Sequence, residues 1–385
     1  MREVVIVDAI RTPIGRGHPE KGYYRATHPA DLLATAYRAV VERSGIEPLK
    51  VDAALAGCVQ QFGQQSMNIA RTAWLQEGLP LETAAMTLDL QCGSAQQAVN
   101  LGATLIASGV HDVVIGAGVE HMGINSFAAA AQVQEEFGSP ITPALLERYD
   151  IRGQGIGAEL IAEAWGISRH DMEQLAVRSH RRAWQATEEG SFAREIVPVT
   201  TEGELHVRDQ GIREDASLDA LTRLKPAFKQ DGRITAGTSS QISDGAAAVM
   251  LADRATAERL GLRPRARVVD QVTVGCDPVR MLEGPIPATR KILGRNGMGI
   301  GDIDRIEVNE AFASVVLAWE REHKPDMERV NVRGGAMALG HPLGSSGARL
   351  ITTLLHILED EDAETGLVTM CCGGGLGTGT LIQRL

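Results

Sequence analysis

The sequence predicts an α/β fold with a parallel or mixed sheet covered by helices on both faces. Three observations predict it. Short apolar segments alternate with helix-patterned ones from Val4 to about Val119, and again from Gly245 to the end; such alternation buries a sheet on both sides. Hydrophobic residues are 44% and charged residues 23% of a 385-residue chain, an ordinary globular composition with length for two domains or one doubled one. Finally, Asp89–Ile106 (DLQCGSAQQAVNLGATLI) and Leu339–Leu355 (LGHPLGSSGARLITTLL) share one plan of strand end, small-residue turn and Ala/Leu helix. Each leads into a strand that ends in glycines, VVIGAG and LVTMCCGGG, the mark of an internal repeat.

In chain order, Val4–Ala9 is apolar enough for a buried strand, and Arg11–Gly15 (RTPIG) is a turn. Pro29–Ser44 reads as a helix: Pro29 suits its first position, Leu32, Leu33, Ala36, Val40 and Val41 share a face, and Gly45 ends it. A strand at Val51–Val59 and a helix at Gln64–Glu77 follow, then a strand at Thr87–Leu90, a tight turn at Gly93, a helix at Ser94–Ala107 and a strand at Asp112–Gly116. From Val119 to about Arg233 the rhythm stops. Charge clusters and turns surround one long helix, Ser168–Glu189, with Ser168 as its cap, and the stretch reads as an insertion packed over the site. Alternation resumes with strands at Gly245–Leu251 and Ala266–Val274, helix Pro287–Arg295, strand Arg305–Val308 and helix Glu310–His323. Helix Ser345–Leu358 and strands Gly366–Met370 and Thr378–Gln383 close the chain.

The formal charge is −11, from 38 Lys and Arg against 49 Asp and Glu, which disfavours nucleic-acid and anionic-membrane surfaces. Apolar runs are broken short of a membrane span, the best of them by His111–Asp112. The five cysteines (Cys58, Cys92, Cys276, Cys371 and Cys372) form neither a disulfide framework nor a CxxC zinc pattern. With a strand beginning at Val4, and no peroxisomal tripeptide at Ile-Gln-Arg-Leu, the expectation is a soluble cytoplasmic protein.

Chemistry concentrates in a few islands. Cys92 falls at a strand-to-helix junction, where unpaired N–H groups and the helix dipole lower a thiol's pKa and hold an anion. A lone cysteine there reads most simply as a small buried hydrophobe, but Cys92 has company. Cys371-Cys372-Gly373-Gly374-Gly375 sets a thiol before three glycines, which serve packing poorly and leave backbone N–H groups approachable. His341 stands in a loop of small residues, Gly334–Gly344. Asn309 precedes Glu310-Ala311-Phe312 after an apolar strand and reads alternatively as a helix cap. Thr235–Gly245 (TAGTSSQISDG) is a polar, small-residue loop suited to a ligand backbone or a tight turn.

Taken together these islands resemble the thiolase family, over essentially the whole chain: VDAIRTPIG, the Cys92 stretch, GTSSQISDGAAAV, NEAF, GGAMALGHPLGSSGARL and CCGGG, in that order. Within the family the sequence looks most like actinobacterial degradative thiolases, including those of steroid catabolism. The resemblance implies two duplicated βαβαβαββ halves in a five-layered αβαβα arrangement: an N-terminal domain at 1–253, with an inserted cap at about 119–238, and a C-terminal domain at 262–385. It implies a 3-ketoacyl-CoA thiolase, with coenzyme A as cosubstrate and no metal or resident cofactor. By the same resemblance Cys92 is the nucleophile, His341 takes its proton, and Asn309 positions a water in the first oxyanion hole. Cys371 is the acid/base, and the backbone N–H groups of Cys92 and Gly373 form a second hole. Ala236, Gly237, Ser240 and Phe312 match positions that hold the pantetheine arm, and Arg213 lies near the adenine and phosphate end. A homodimer or homotetramer is implied, with a hydratase/dehydrogenase partner as a further possibility.

The chemistry suits those residue types. Cleaving a 3-ketoacyl-CoA demands a nucleophile that can also leave, donors for the developing oxyanions and an acid for the enolate carbon; a second cysteine of near-neutral pKa would serve as that acid. Two departures stand out. Acetoacetyl-CoA thiolases of the family carry His-Met where this chain has Gly153-Gln154, which should open the acyl pocket, and Cys372 stands beside Cys371, where it is read as packing. Four alternatives stand beside this reading, the weakest being a zinc protein, because no Cys or His pair has ligand spacing on a suitable turn. An acetoacetyl-CoA thiolase is disfavoured by Gly153-Gln154, and a catalytically silent acyl-CoA binder by the full catalytic set. A two-histidine ketoacyl synthase is disfavoured by Cys371.

Overall fold

The computed structural model describes all 385 residues. The strands are β1 (Val4–Arg11), β2 (Gly15–Arg16), β3 (Ala53–Gly57), β4 (Ala84–Leu88), β5 (Val113–His121), β6 (Val199–Thr201), β7 (Glu204–His206), β8 (Ser243–Asp253), β9 (Ala266–Gly275), β10 (Arg305–Val308), β11 (Thr365–Cys372) and β12 (Leu376–Arg384). The helices are α1 (Pro29–Ser44), α2 (Ile69–Gln76), α3 (Ser94–Ala107), α4 (Phe127–Phe137), α5 (Pro143–Arg148), α6 (Gln154–Ala164), α7 (Arg169–Glu188), α8 (Leu218–Thr222), α9 (Arg254–Arg259), α10 (Pro285–Asn296), α11 (Ala313–His323), α12 (Ala336–Leu339) and α13 (Ser346–Asp360). No helix is long and apolar enough to cross a membrane.

One sheet runs in the order β10-β11-β12-β9-β1-β8-β5-β3-β4, with β2 on β8. Its two halves repeat each other. In the first, β3 is parallel to β5, β5 antiparallel to β8 and β8 antiparallel to β1. In the second, β10, β11, β12 and β9 stand in the same relations. The halves join where Val5 and Ile6 of β1 pair with Arg267 and Ala266 of β9. α3 precedes β5 and α13 precedes β11, so the repeat seen in the sequence is a repeat of topology.

Strand alternation distributes side chains among three cores. Val5, Val7, Ala248 and Met250 face α1 and α2. Val4, Ile6, Val249, Leu251, Val368 and Met370 face inward onto α3 and α13. Leu367 and Leu381 face α10, α11 and α6. Helices, half-sheet, two central helices, half-sheet and helices make the five layers. Between β5 and β8 the chain leaves the sheet to build α4–α8 and the β6–β7 hairpin. Arg11 fixes this excursion. Its buried guanidinium donates to Glu195 Oε1 at 2.6 Å and to both carboxylate oxygens of Asp209 at 2.7 and 2.9 Å.

Local signals explain most boundaries. In α1, His28 accepts from the Ala30 N–H and Gly45 stops the helix at φ 72; in α7, Ser168 and Asp171 form a capping box. Four expectations are corrected. The Gln64–Glu77 helix begins only at Ile69, because Met67 and Asn68 are both left-handed (φ 57 and 58) and Asn68 caps the Arg71 N–H. The strand expected at Val51–Val59 spans only Ala53–Gly57. The strand before Cys92 is Ala84–Leu88 rather than Thr87–Leu90, since Asp89 turns the chain by accepting from the Gln91 N–H. That turn's left-handed residue is Gln91 (φ 52), not Gly93 (φ −82).

Candidate active site

Cys92 lies in the turn before α3, and His341 lies near the start of the loop between α12 and α13. The two helices cross in contact at their first turns: a Cβ on Gly347 would lie 2.6 Å from the Gln96 Cβ. The loop carrying His341 rests on the ends of β3 and β5, where Gly57 and Gly118 leave room for the Gly344 carbonyl. Gly344 also donates its N–H to buried Glu120 at 2.9 Å. Backbone contact at this range admits only glycine, which accounts for Gly57 at the end of β3 and Gly118 within β5.

His341 is held at several points. Its backbone N–H donates to Ser243 Oγ at 3.1 Å. Its Nδ1 lies 2.6 Å from Ser346 Oγ, which donates to the Pro342 carbonyl at 2.8 Å. With that hydroxyl proton committed, Nδ1 carries the imidazole proton and donates, leaving Nε2 as a bare acceptor. Asn309 Nδ2 lies 3.3 Å from it. Burial, reinforced by the charge of Arg349, pulls His341 down to about 3, so the ring is neutral and its Nε2 lone pair is available as a base. Arg349 is itself buried and reaches Glu307 Oε2 at 3.4 Å. Asn309 does not cap a helix, because α11 starts at Ala313 with Phe312 in the capping position; its Oδ1 is buried without a partner.

Cys92 is 1% exposed and Cys371 is fully buried. The expected lowering of the Cys92 pKa is overturned. Burial pushes the thiol up to about 12, although the backbone N–H groups of Gly373 and of Cys92 itself point at the sulfur and oppose the rise. Burial also raises Cys371 well above the ordinary thiol range, with Cys92 adding to it, so neither is the near-neutral thiol expected. The helix end is outweighed because desolvation acts on the whole charge, whereas two N–H dipoles return only part of it.

Cys372 points to the other side of β11, into the central core. Its sulfur would lie 2.5 Å from a Cβ on Gly93. Packing therefore explains both residues. Gly93→Ala is expected to destabilise by ~1–3 kcal/mol through overpacking, and Cys372→Ala should recover most of that loss while keeping activity in the single variant. Denaturant melts of the two single variants and the double variant check this; equal losses in Gly93→Ala with and without Cys372→Ala would refute it.

Two cavities adjoin at Gln241. The larger, about 630 Å³, is lined by residues including His341, Phe312, Ser240, Phe228, Gln154 and Arg152. The smaller, about 250 Å³, is lined by Arg213, Ala236, Gly237 and His180 among others. The five residues matched to coenzyme A positions are thus divided between them. The Thr235–Gly245 loop pairs with the NEAF segment, Ser239 opposite Phe312, and Gln241 donates to the Gly211, Met337 and Ala338 carbonyls. The inserted stretch roofs the larger cavity with Met122, Phe127, Arg152–Ile156 and Phe228. Phe228 stands edge-on to Phe312, ring centroids 5.8 Å apart.

Sequence reasoning missed several neighbours. Ser243 and Ser346 fix the histidine, and their signal was present only as serines within small-residue loops. Gln91 flanks Gly373, where a Cβ would lie 3.0 Å from its side chain and 3.1 Å from that of Gln154, the residue the sequence had already placed at the acyl pocket. His180 accepts from the Arg213 N–H at 3.1 Å; it sits on α7, with nothing local to connect it to the site.

Comparison with known proteins agrees with this architecture. The family model described as thiolase, N-terminal domain, matches residues 4–255, and that for the thiolase C-terminal domain matches residues 262–384. The chain is 46% identical over 391 aligned residues to a Mycobacterium tuberculosis protein named steroid 3-ketoacyl-CoA thiolase FadA6, covering 100% of this chain and 95% of that one. It is 42% identical to a 3-ketoacyl-CoA thiolase of Aeromonas salmonicida, with 100% of both chains covered. The crystal structure of the Bacillus anthracis acetyl-CoA acetyltransferase superposes with a TM-score of 0.91 at 36% identity, covering 100% of this chain and 99% of that one. With both halves matched and relatives aligned end to end, the chain belongs to the thiolase family.

Proposed function

We propose that the protein is a 3-ketoacyl-CoA thiolase, cleaving 3-ketoacyl-CoA with coenzyme A to acetyl-CoA and a shortened acyl-CoA. The observation that carries the reading is the meeting of the turn bearing the Cys92 sulfur with the His341 loop at the first turns of α3 and α13, where Asn309 Nδ2 stands 3.3 Å from the Nε2 of a neutral His341. A thioester formed on that sulfur presents its carbonyl oxygen to donors already in place.

The Cys92 thiol gives its proton to His341 Nε2 as the sulfur attacks the keto carbon. Because both groups rest neutral, the transfer is coupled to attack: the thiolate is consumed as it forms, and the imidazolium faces the new oxyanion. The bond between C2 and C3 then breaks, and its electron pair passes into the acetyl-CoA enolate. Cys371 protonates the enolate carbon, becoming a thiolate, and acetyl-CoA departs. The Cys371 thiolate next takes the proton of incoming coenzyme A. The coenzyme A sulfur attacks the acyl-Cys92 carbonyl, and the Cys92 sulfur leaves and recovers its proton from His341. Coenzyme A is a cosubstrate, and the cycle needs no metal or resident cofactor. The pantetheine arm lies along Ser240 and Phe312 and past Ala236–Gly237, and Arg213 takes the phosphate end. Asn309, with an unpartnered Oδ1, holds a water beside His341.

The chain works in this reading as two thiolase halves, 1–253 and 262–385, in a cytoplasmic homodimer or homotetramer. The edge strand β4 and its surroundings expose Met67, Leu75, Leu81 and Met86, which suits pairing of copies through that edge. The test of function is loss of the Mg²⁺–enolate absorbance of 3-ketoacyl-CoA substrates on adding coenzyme A. Acetoacetyl, 3-ketodecanoyl and ring-bearing substrates are compared. A kcat/KM larger for the longer or bulkier members is expected; preference for acetoacetyl-CoA would move the protein to the acetyltransferase class, and absence of turnover on all would refute the reading.

A further inference from the structure

We propose that Arg349 is a positioning residue for the proton cycle, acting through His341. Its buried charge behind the imidazole drives the proton taken from Cys92 back to the departing Cys92 sulfur when coenzyme A removes the acyl group. The proposal rests on the thiolase reading above and assigns a residue to its second half-reaction.

One face of β10 carries the argument. Ile306 and Val308 pack outward with α10 and α11, so Glu307 and Asn309 face the other way, toward α13. Asn309 stays in the ladder by donating its N–H to the Thr369 carbonyl at 3.1 Å. Each of the two reaches one group of the α13 unit. Glu307 Oε2 accepts from Arg349 Nη1 at 3.4 Å, and Asn309 Nδ2 stands 3.3 Å from His341 Nε2. Two residues of strand set these contacts ~7 Å apart, so guanidinium and imidazole are neighbours along it.

All four side chains are buried, and Arg349 is a poor staple. Its contact with Glu307 is long, its Nε and Nη2 have no partner, and neither has Glu307 Oε1. A buried charge so weakly paired costs desolvation that a hydrophobe of similar size would not, so packing does not account for it. Its field does. In a low-dielectric interior a guanidinium ~7 Å away opposes a second positive charge on the ring. Burial comes first among the causes that keep His341 neutral, and Arg349 is the charged group that adds to it. An arginine keeps its charge even where burial lowers its pKa, as here.

The other ionisable groups packed around the ring do not cancel that field. Cys92 and Cys371 rest as thiols, held up by burial. Burial also pushes Glu307 up to about 8, so at neutral pH it carries a proton. Glu120 accepts from the Val59, Gln60 and Gly344 N–H groups, Glu310 from Ser179, Asn331 and the Met337 N–H, and Asp244 from the Gly123 N–H.

The guanidinium makes proton uptake by His341 Nε2 harder and the resulting imidazolium a stronger acid. When the coenzyme A sulfur attacks, the bond from the acyl carbon to the Cys92 sulfur breaks. Its electron pair stays on that sulfur, and the imidazolium proton passes to it. Arg349 thus trades rate in the first half-reaction for rate in the second. It also keeps the resting pair as thiol and neutral imidazole rather than thiolate and imidazolium.

Arg349→Met keeps the stem and removes the charge, and Arg349→Lys keeps the charge. Rapid quench with intact-protein mass spectrometry separates acylation of Cys92 by 3-ketodecanoyl-CoA from its deacylation by coenzyme A. In Arg349→Met deacylation is expected to slow by about fivefold to tenfold while acylation does not slow, so acyl-Cys92 accumulates. Arg349→Lys should recover most of the deacylation rate. Alkylation of resting Cys92 by iodoacetamide at pH 7 should quicken about tenfold in Arg349→Met, and not at all when His341→Asn is also present. A merely structural role would slow both half-reactions together; that result in a folded Arg349→Met protein overturns the proposal, as does an unchanged alkylation rate. If Arg349→Met does not fold, Glu307→Gln decides. Unable to ionise, it should deacylate faster than the wild type at pH 9, where an ionised Glu307 cancels the guanidinium, and equal rates there overturn the proposal. Absence of turnover on every 3-ketoacyl-CoA overturns the thiolase reading and the proton cycle with it, whereas the alkylation result reads the resting protein alone.

Discussion

Cys92→Ala is expected to lower thiolysis by at least about 10⁴-fold, because no other group can carry the acyl chain between the two half-reactions. The enolate absorbance assay gives the rate, and intact-protein mass spectrometry after mixing with an acyl-CoA gives the intermediate. The wild type should gain the mass of the acyl group, and the variant should not. The resting thiol has its own signature. With burial holding Cys92 up at about 12, alkylation by iodoacetamide should be slow at neutral pH and climb about tenfold per pH unit through pH 9. A fast reaction that levels off below pH 8 would show a thiolate already formed and would remove the coupled proton transfer from the mechanism.

The second large effect belongs to His341 and has two faces. His341→Asn should reduce kcat by about 10²–10⁴-fold through loss of the base. The same residue governs acid stability. Its folded pKa, about 3, lies below an unfolded value near ~6.5, so between those values the unfolded chain binds a proton that the native protein refuses. Stability is therefore full above about pH 6.5 and is lost as pH falls toward 3, at up to ~1.4 kcal/mol per pH unit. Between pH 6.5 and 5 the wild type should lose ~1–2 kcal/mol more than His341→Asn. Glu359, held at about 2 after the arginine contacts outweigh burial, acts with the same sign but lower in pH. Glu307, pushed up to about 8 by burial, acts oppositely, losing stability as pH rises from about 4.5 to 8. Urea melts across this range decide the matter: parallel curves for the two proteins would mean that His341 is not held neutral by the fold.

Much of this arrangement was legible in the chain. The helices Pro29–Ser44 and Ser94–Ala107 emerged with the same ends in the structure, because each carries its apolar face locally and the first is also bounded by Pro29 and Gly45. The repeat was legible because two copies of one plan had to satisfy the same packing. The inserted stretch was not: α4 and α5 bury no residue and so carry no apolar stripe to read, and the segments on either side of the β6–β7 hairpin are tied down by the distant Arg11 through Glu195 and Asp209. The charge state of the site was misread for a related reason. A helix end is visible in sequence, but the burial that outweighs it is created by the β11 and α13 segments, more than 250 residues further on. Ser243, Ser346 and Gln154 acquire their roles only through that assembly.

The meeting of α3 with α13 has a consequence beyond geometry. The sulfur comes from one copy of the repeated unit and the imidazole from the other, Cys92 just before α3 and His341 in the loop before α13. Two identical copies would have presented the same side chain from both sides, so the division of labour is a broken symmetry, and covalent linkage of the copies is what allowed it. Turnover then works as a logical AND: a severed half supplies one input and reads zero. Activity restored by mixing separately produced halves would measure their docking directly, with chemistry as the signal.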